Sequence, residues 1–205
     1  MSKFSEVLTP DNAVLAMIDH QTGLLVSCAD EHPLVVKNNI QGLCNMAKTL
    51  GLPSVVTASL ADGPNGPIMP EITKILGDKV INREGEINAW HSSAFKSAIE
   101  ATGRKKIIMA GIVTDVCLMF PALSAVEEGY DVYAVIDASA TWNKTVQQAS
   151  IHRLTQAGVK VTTWASVLAE IMSDWRSDKG MELGQVLADH TTSYNYVMNS
   201  YFARS

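Results

Sequence analysis

Residues Ala13–Ile18 read Ala-Val-Leu-Ala-Met-Ile, the length of a strand and without one polar side chain. Successive residues of a strand point to opposite faces, so a run that is apolar on both faces must be covered on both. Strand-like runs of this kind recur at Ser54–Ser59, Lys79–Asn82, Lys105–Ala110, Asp131–Ile136 and Val159–Thr163. Between them the apolar residues change to helical spacing. One stripe is Val36, Ile40, Leu43, Cys44, Ala47 and Leu50; a second is Ala94, Phe95, Ala98 and Ile99. A third is Trp164, Val167, Leu168, Ile171, Met172 and Trp175. Each is one-sided and predicts a helix lying against a core. Gly51, Gly103, Gly129 and Gly158 follow helical segments, as C-terminal glycines do. This alternation predicts an α/β fold, a parallel sheet with helices on both faces.

A chain of 205 residues can bury a substantial single core, and no repeat or linker divides residues 1–205. Residues 61–70, Ala-Asp-Gly-Pro-Asn-Gly-Pro-Ile-Met-Pro, predict a turn-rich loop after the second strand. After Trp175 the pattern is helical to about Asp189. The aromatic and apolar end, Tyr194 to Phe202, predicts that segment 176–205 packs on its own subunit or at an oligomer interface.

A net charge of −5 offers no basic stripe for phosphates, which argues against nucleic acid as partner. No apolar run approaches the ~20 residues that cross a bilayer, and the first residues lack the apolar segment of a signal peptide. The expectation is a soluble, cytoplasmic protein with no membrane contact. Three scattered cysteines, Cys28, Cys44 and Cys117, suit free thiols in a reducing compartment.

In open parallel sheets, ligands bind beyond the carboxyl ends of the strands. The first strand ends in Asp19-His20-Gln21, the third in Arg83 and the fifth in Asp137. The fourth ends in Gly111 and runs through Thr114 to Cys117, where a helix starts. A thiol in a first helical turn faces unpaired backbone N–H groups, which favour the thiolate. The same groups can hold an oxyanion. A lone cysteine beside Val116, Met119 and Phe120 is, however, more often core than catalyst. Asp19 can take and return protons there, or simply cap a turn. Arg83, if it turns inward, keeps Asp19 ionised.

Asp19-His20-Gln21, Arg83 with Asn88-Ala89-Trp90, and Gly111-Ile112-Val113-Thr114-Asp115-Val116-Cys117 together resemble the isochorismatase-like hydrolase family of cysteine hydrolases. The loop Gly63–Pro67, the stretch Phe120–Ala125 and Asp137-Ala138-Ser139 resemble its YcaC-type branch. The resemblance implies a three-layer α/β/α sandwich with a six-stranded parallel, Rossmann-like sheet. It implies a triad of acid, cation and cysteine at Asp19, Arg83 and Cys117. It also implies a non-proline cis peptide just before Thr114 and an oxyanion hole from the Thr114 and Cys117 N–H groups. The chemistry implied is hydrolysis of a small amide or other C–N bond through a thioester. An assembly is implied as well, a homo-octamer of two tetramers.

Three departures from the family pattern shape the expectation. Lysine is usual where this chain has Arg83, and arginine cannot give up a proton. Arg83 is therefore expected to act as a fixed cation, with proton transfer left to Asp19. The nicotinamidase-type metal ligands, an aspartate and two histidines, would fall near Ala61-Asp62-Gly63-Pro64-Asn65, which holds no histidine; neither metal nor other cofactor is expected. Isochorismatases proper lack the cysteine, so Cys117 points to acyl chemistry. Gln21, Asn88, Trp90 and Phe120 are candidates for lining a small-molecule site; core or subunit packing is the competing reading for Trp90 and Phe120. A reactive thiol that senses oxidants or electrophiles, with little turnover, is the alternative function.

Overall fold

The computed structural model describes residues 7–203. In chain order the elements are β1 (Ala13–Ile18), α1 (Thr22–Leu25), α2 (Pro33–Leu50), β2 (Ser54–Ser59), α3 (Pro70–Leu76) and β3 (Val80–Arg83). There follow α4 (Ser93–Glu100), β4 (Lys106–Gly111), α5 (Met119–Glu127), β5 (Asp131–Val135) and α6 (Lys144–Gln156). The chain ends with β6 (Lys160–Thr162), α7 (Trp164–Met172), α8 (Gly180–His190) and α9 (Thr192–Phe202).

The six strands form one sheet in the order β3-β2-β1-β4-β5-β6, and all neighbours pair in parallel. Every residue of β1 and β4 is buried, whereas β3 and β6 at the edges are only partly covered. The uninterrupted apolar run that opened the sequence thus lies at the sheet centre. Helices α2, α3, α7 and α8 pack together as one covering layer; α4, α5 and α6 belong to the other. Gly51, Gly103, Gly129 and Gly158 all adopt positive φ, between 65° and 85°, at the ends of helical segments. Among the described residues no helix is long and apolar enough to cross a membrane.

Three elements differ from the periodicity. Helix α6 buries only Ser150 and Leu154, too thin a stripe to register as a pattern. Helix α3 starts at Pro70, the last residue of the proline-rich segment, where proline suits a first helical position. Trp175 falls beyond α7, which is capped by Ser173 with φ 60°; its ring is half exposed and stacks on Tyr194 at 6.2 Å. Its place three residues after Met172 imitated another turn of helix.

Strands β1 and β4 are sequence-distant neighbours, with Ile18 opposite Gly111. The strand order reverses between them, and such a switch point opens a crevice beyond the carboxyl ends. Asp19 and the turn carrying Cys117 both leave the sheet at that crevice.

Candidate active site

Asp19 directly follows β1 with φ 55°, a left-handed conformation that aspartate tolerates better than most residues. Its N–H donates to Thr57 O on β2 at 2.9 Å. Its carboxylate meets the Arg83 guanidinium, whose Nη2 donates to both Asp19 oxygens. Arg83 sits at the end of β3, opposite Ser59 of β2. Its Nε donates to Thr57 Oγ1 at 3.1 Å, and its Nη1 donates to the Glu86 carbonyl. The side chains of Arg83 and Asp19 are 0% and 2% exposed. All three guanidinium nitrogens are therefore engaged, and the cation is fixed in place.

Cys117 reaches the pair from β4. Between β4 and α5 the chain makes one wide π-type turn, Thr114–Leu118. The turn lies hard against the strand end: a Cβ on Gly111 would stand 2.9 Å from Leu118 N and 3.1 Å from the Cys117 carbonyl carbon. Glycine is required there so that the turn can fold back onto β4. The Cys117 side chain lies close enough to Asp19 and to the Val113 N–H for each to act on its charge. The three residues inferred from strand ends thus converge.

The charge state differs from the expected thiolate. Burial pushes the Cys117 thiol well above its ordinary value, and the neighbouring Asp19 charge pushes it further. The Val113 N–H and Arg83 oppose this but are outweighed. Burial also raises the Asp19 carboxyl, against the pull of Arg83, Cys117 and the Ser59 N–H. Burial thus favours a neutral thiol beside the Asp19 carboxyl group, which Arg83 holds.

The backbone donors also need correction. The Thr114 N–H donates to Ala140 O at 2.9 Å and the Cys117 N–H to Val113 O at 2.8 Å, so both are occupied. The non-proline cis bond joins Ile112 and Val113, one residue before the position expected. Val113 N–H, rather than Thr114 N–H, is the amide that acts on the sulfur. Thr114 instead ties the chain after β4 to the segment after β5, where Ile112 bridges Ala140.

Of the four candidate lining residues, two line the open space beside the site. A cleft of about 620 Å³ is bounded by Gly85, Ile87, Asn88, His91, Phe120, Leu123 and Ser124. Phe120 and Ser124 stand four residues apart on α5 and share one of its faces. Asn88 Oδ1 accepts from Trp90 N at 3.0 Å and its Nδ2 donates to Ser124 Oγ at 3.0 Å, tying the loop after β3 to α5. Gln21 is fully buried and its amide is used up within the protein. Its Nε2 donates to Ser59 O and Gly66 O, and its Oε1 accepts from Ser59 N. It holds the Ser59 amide, one of the groups facing Asp19, rather than meeting a ligand itself. Trp90 is 4% exposed and packs edge-on against Phe95 and Tyr130, at 6.2 and 5.3 Å. It belongs to the packing, which was the competing reading.

Thr57 and Ser59 hold the triad in place and escaped the sequence reading. They sit at the end of β2 in a run of small polar residues that carries no motif. Asp115 accepts from Thr141 Oγ1 at 2.6 Å, and Asp137 accepts from Trp164 N at 2.9 Å at the start of α7. Among the described residues no group of three or more His, Cys, Asp or Glu side chains could hold a metal ion.

His20 is wholly buried beside the triad. Its Nε2 donates to Ala138 O at 2.9 Å, and its Nδ1 has no partner among the described residues. Burial lowers its pKa from 6.5 to about 4. Below pH 6.5 the unfolded chain binds a proton that the folded chain refuses, so folding stability should fall as pH drops from 6.5 to about 4. The loss attributable to this group is on the order of 3 kcal/mol. Urea unfolding of the wild type and His20→Gln across that range checks it: the difference between the two should shrink towards acid pH. A constant difference would rule the effect out.

Comparison with known proteins gives the family. The family profile described as Isochorismatase domain matches residues 13–166. The chain is 43% identical over 196 residues to "Probable hydrolase YcaC" of Escherichia coli strain K12, covering 95% of this chain and 93% of that protein. The solved YcaC gene product of Escherichia coli, described as an octameric hydrolase of unknown specificity, superposes over the full length of both chains with a TM-score of 0.96 at 41% identity. YcaC from Pseudomonas aeruginosa, solved with hexane-2,5-diol and covalent acrylamide, gives a TM-score of 0.93 at 42% identity, covering 98% of this chain and 99% of that one.

Proposed function

The chain belongs to the isochorismatase family, and on that premise we propose that it is a cysteine hydrolase of small amides or related C–N bonds. The observation that carries this reading is the buried contact of Cys117 with Asp19, itself held by Arg83. A nucleophile, a base and a group that orients the base are the parts an acyl-transfer site needs.

The steps follow from the charge state. As the Cys117 sulfur attacks the carbonyl carbon, a new S–C bond forms and the thiol proton passes to the Asp19 carboxylate. The carbonyl oxygen becomes an oxyanion beside the Val113 N–H, which has no backbone acceptor among the described hydrogen bonds. Collapse breaks the C–N bond, and the Asp19 proton goes to the leaving amine. Water then gives a proton to Asp19 as its oxygen bonds the thioester carbon. The S–C bond breaks, the acid leaves, and the proton returns to sulfur. Arg83 takes no part in proton transfer; its fixed charge keeps Asp19 ionised between steps despite burial.

The sensing alternative has less support. Sensor thiols are exposed and low in pKa, and Cys117 is buried and pushed up. Covalent acrylamide in the Pseudomonas aeruginosa relative fits a site that admits a small amide next to a nucleophile. A panel of small primary amides, read by ammonia release, tests the reading. Release above the buffer blank with at least one amide is expected; none across the panel would overturn it.

We read the protein as a homo-oligomer too, with an octamer of two tetramers as the assembly. An octameric relative and the exposed Tyr196, Val197, Tyr201 and Phe202 on α9 support this. Within the C-terminal segment, α8 packs on α2 of its own subunit, and the exposed residues of α9 are the part read as an interface. Native mass spectrometry should give eight copies of the chain; a monomer would contradict it.

A further inference from the structure

The charges around the sulfur constrain what can bind there. Asp19 and Arg83 neutralise each other inside the protein. Arg83 has no exposed side-chain surface, and its three nitrogens are taken by Asp19, Thr57 and Glu86. It cannot turn to a ligand carboxylate without leaving Asp19 unpaired. His20 is neutral, since burial lowers it to about 4, and its ring is 0% exposed. Asp115 is turned to Thr141. A cleft on α5, reached at Phe120 three residues after Cys117, has no acid, lysine or arginine among its lining residues: its walls are Ile87, Phe120 and Leu123, with Asn88, His91 and Ser124 as the polar members. Arg153 lies against the Phe120 ring, 5.9 Å from its centroid, in a separate groove between α5 and α6.

A charged ligand group placed against the buried sulfur would therefore lack a free counter-ion, which costs several kcal/mol in a protein interior. Building on the hydrolase reading, we propose that the substrate is an uncharged amide whose apolar substituent lies along Ile87, Phe120 and Leu123. The site rejects carboxylate-bearing and ammonium-bearing amides of the same length.

Two measurements separate this inference from the hydrolase reading. The first alkylates the sulfur with iodoacetamide and with iodoacetate, which are alike in size and differ in charge. In each case an S–C bond forms, iodide leaves and the thiol proton passes to Asp19. Peptide mapping isolates Cys117 from Cys28 and Cys44, which burial holds up at about 12. With rates normalised to glutathione, Cys117 should prefer iodoacetamide by at least about tenfold, the effect of a ~1.4 kcal/mol penalty on the charged reagent. Ile87 is 64% exposed, so Ile87→Lys can add a cation to the cleft without disturbing the core. That variant should narrow the preference several-fold at low ionic strength and restore it in high salt.

The second compares hydrolysis of propanamide, malonamic acid and glycinamide, whose charges would lie against the sulfur; propanamide should lead in kcat/KM by about tenfold or more. A normalised iodoacetamide preference near one, or equal hydrolysis of the three amides, overturns the inference while leaving a hydrolase intact. Neutral preference in labelling with no hydrolysis of any amide sustains the site's preference for uncharged ligands and removes the hydrolase reading, and with it the amide substrate. No labelling of Cys117 by either reagent overturns both.

Discussion

Cys117→Ala should abolish amide hydrolysis while leaving the fold in place. In the proposed cycle the S–C bond is the only covalent link to substrate, so its loss removes the route rather than slowing one step. A fall of about 10⁴-fold or more in kcat/KM is the scale seen when a covalent nucleophile is removed. Stability should change by only ~1 kcal/mol. The side chain is small and at the border of burial, at 9% exposure, and its main polar contact is one that Asp19 can lose while keeping Arg83. Ammonia release and thermal melting of the same sample separate the two effects. Residual activity within tenfold of wild type would mean that the sulfur is not the nucleophile.

Asp19→Asn should be the more damaging change overall, because it acts on chemistry and on folding. The amide cannot take the thiol proton, and loss of a general base costs about 10²–10⁴-fold. It also leaves the Arg83 guanidinium, with a 0% exposed side chain, without its counter-ion. Breaking a buried pair from one side costs about 3–5 kcal/mol. The pH dependence of the wild type carries the same assignment. Burial raises the Asp19 carboxyl above the usual carboxylate value, with Arg83 opposing. Activity needs the ionised form, so kcat/KM should decline on the acid side as Asp19 protonates. That acid limb should lie above the position of an ordinary aspartate. It should be absent from whatever activity Asp19→Asn retains. A wild-type profile flat through the acid range would remove Asp19 as base.

Much of this site is visible in the chain itself, for a physical reason. In a doubly covered parallel sheet the strands are apolar throughout, so a polar residue at a strand end stands out. Asp19, Arg83 and the Gly111–Cys117 turn were found that way, and the sheet brings them together at the β1/β4 switch point. What escaped depends on three-dimensional neighbours. Thr57 and Ser59 become site residues only because β2 lies between β1 and β3. Gln21 reads as a binding residue until its amide is seen bonded to Ser59 and Gly66. The backbone donor shifted from Thr114 to Val113 because the Ala140 carbonyl, 26 residues on in the chain, takes the Thr114 N–H. The thiol's protonation followed the same logic. Position in a helical turn argued for a thiolate, whereas burial beside Asp19 outweighs that position.

The central claim is that an acyl group passes through the Cys117 sulfur. Rapid quenching during turnover of a good amide substrate, followed by mass spectrometry of the Cys117 peptide, tests it most directly. The account predicts an adduct of the acyl mass on that peptide that forms within the first turnover and clears as the amide is exhausted. Steady amide hydrolysis with Cys117 unmodified at every time point, under conditions that preserve thioesters, would contradict it.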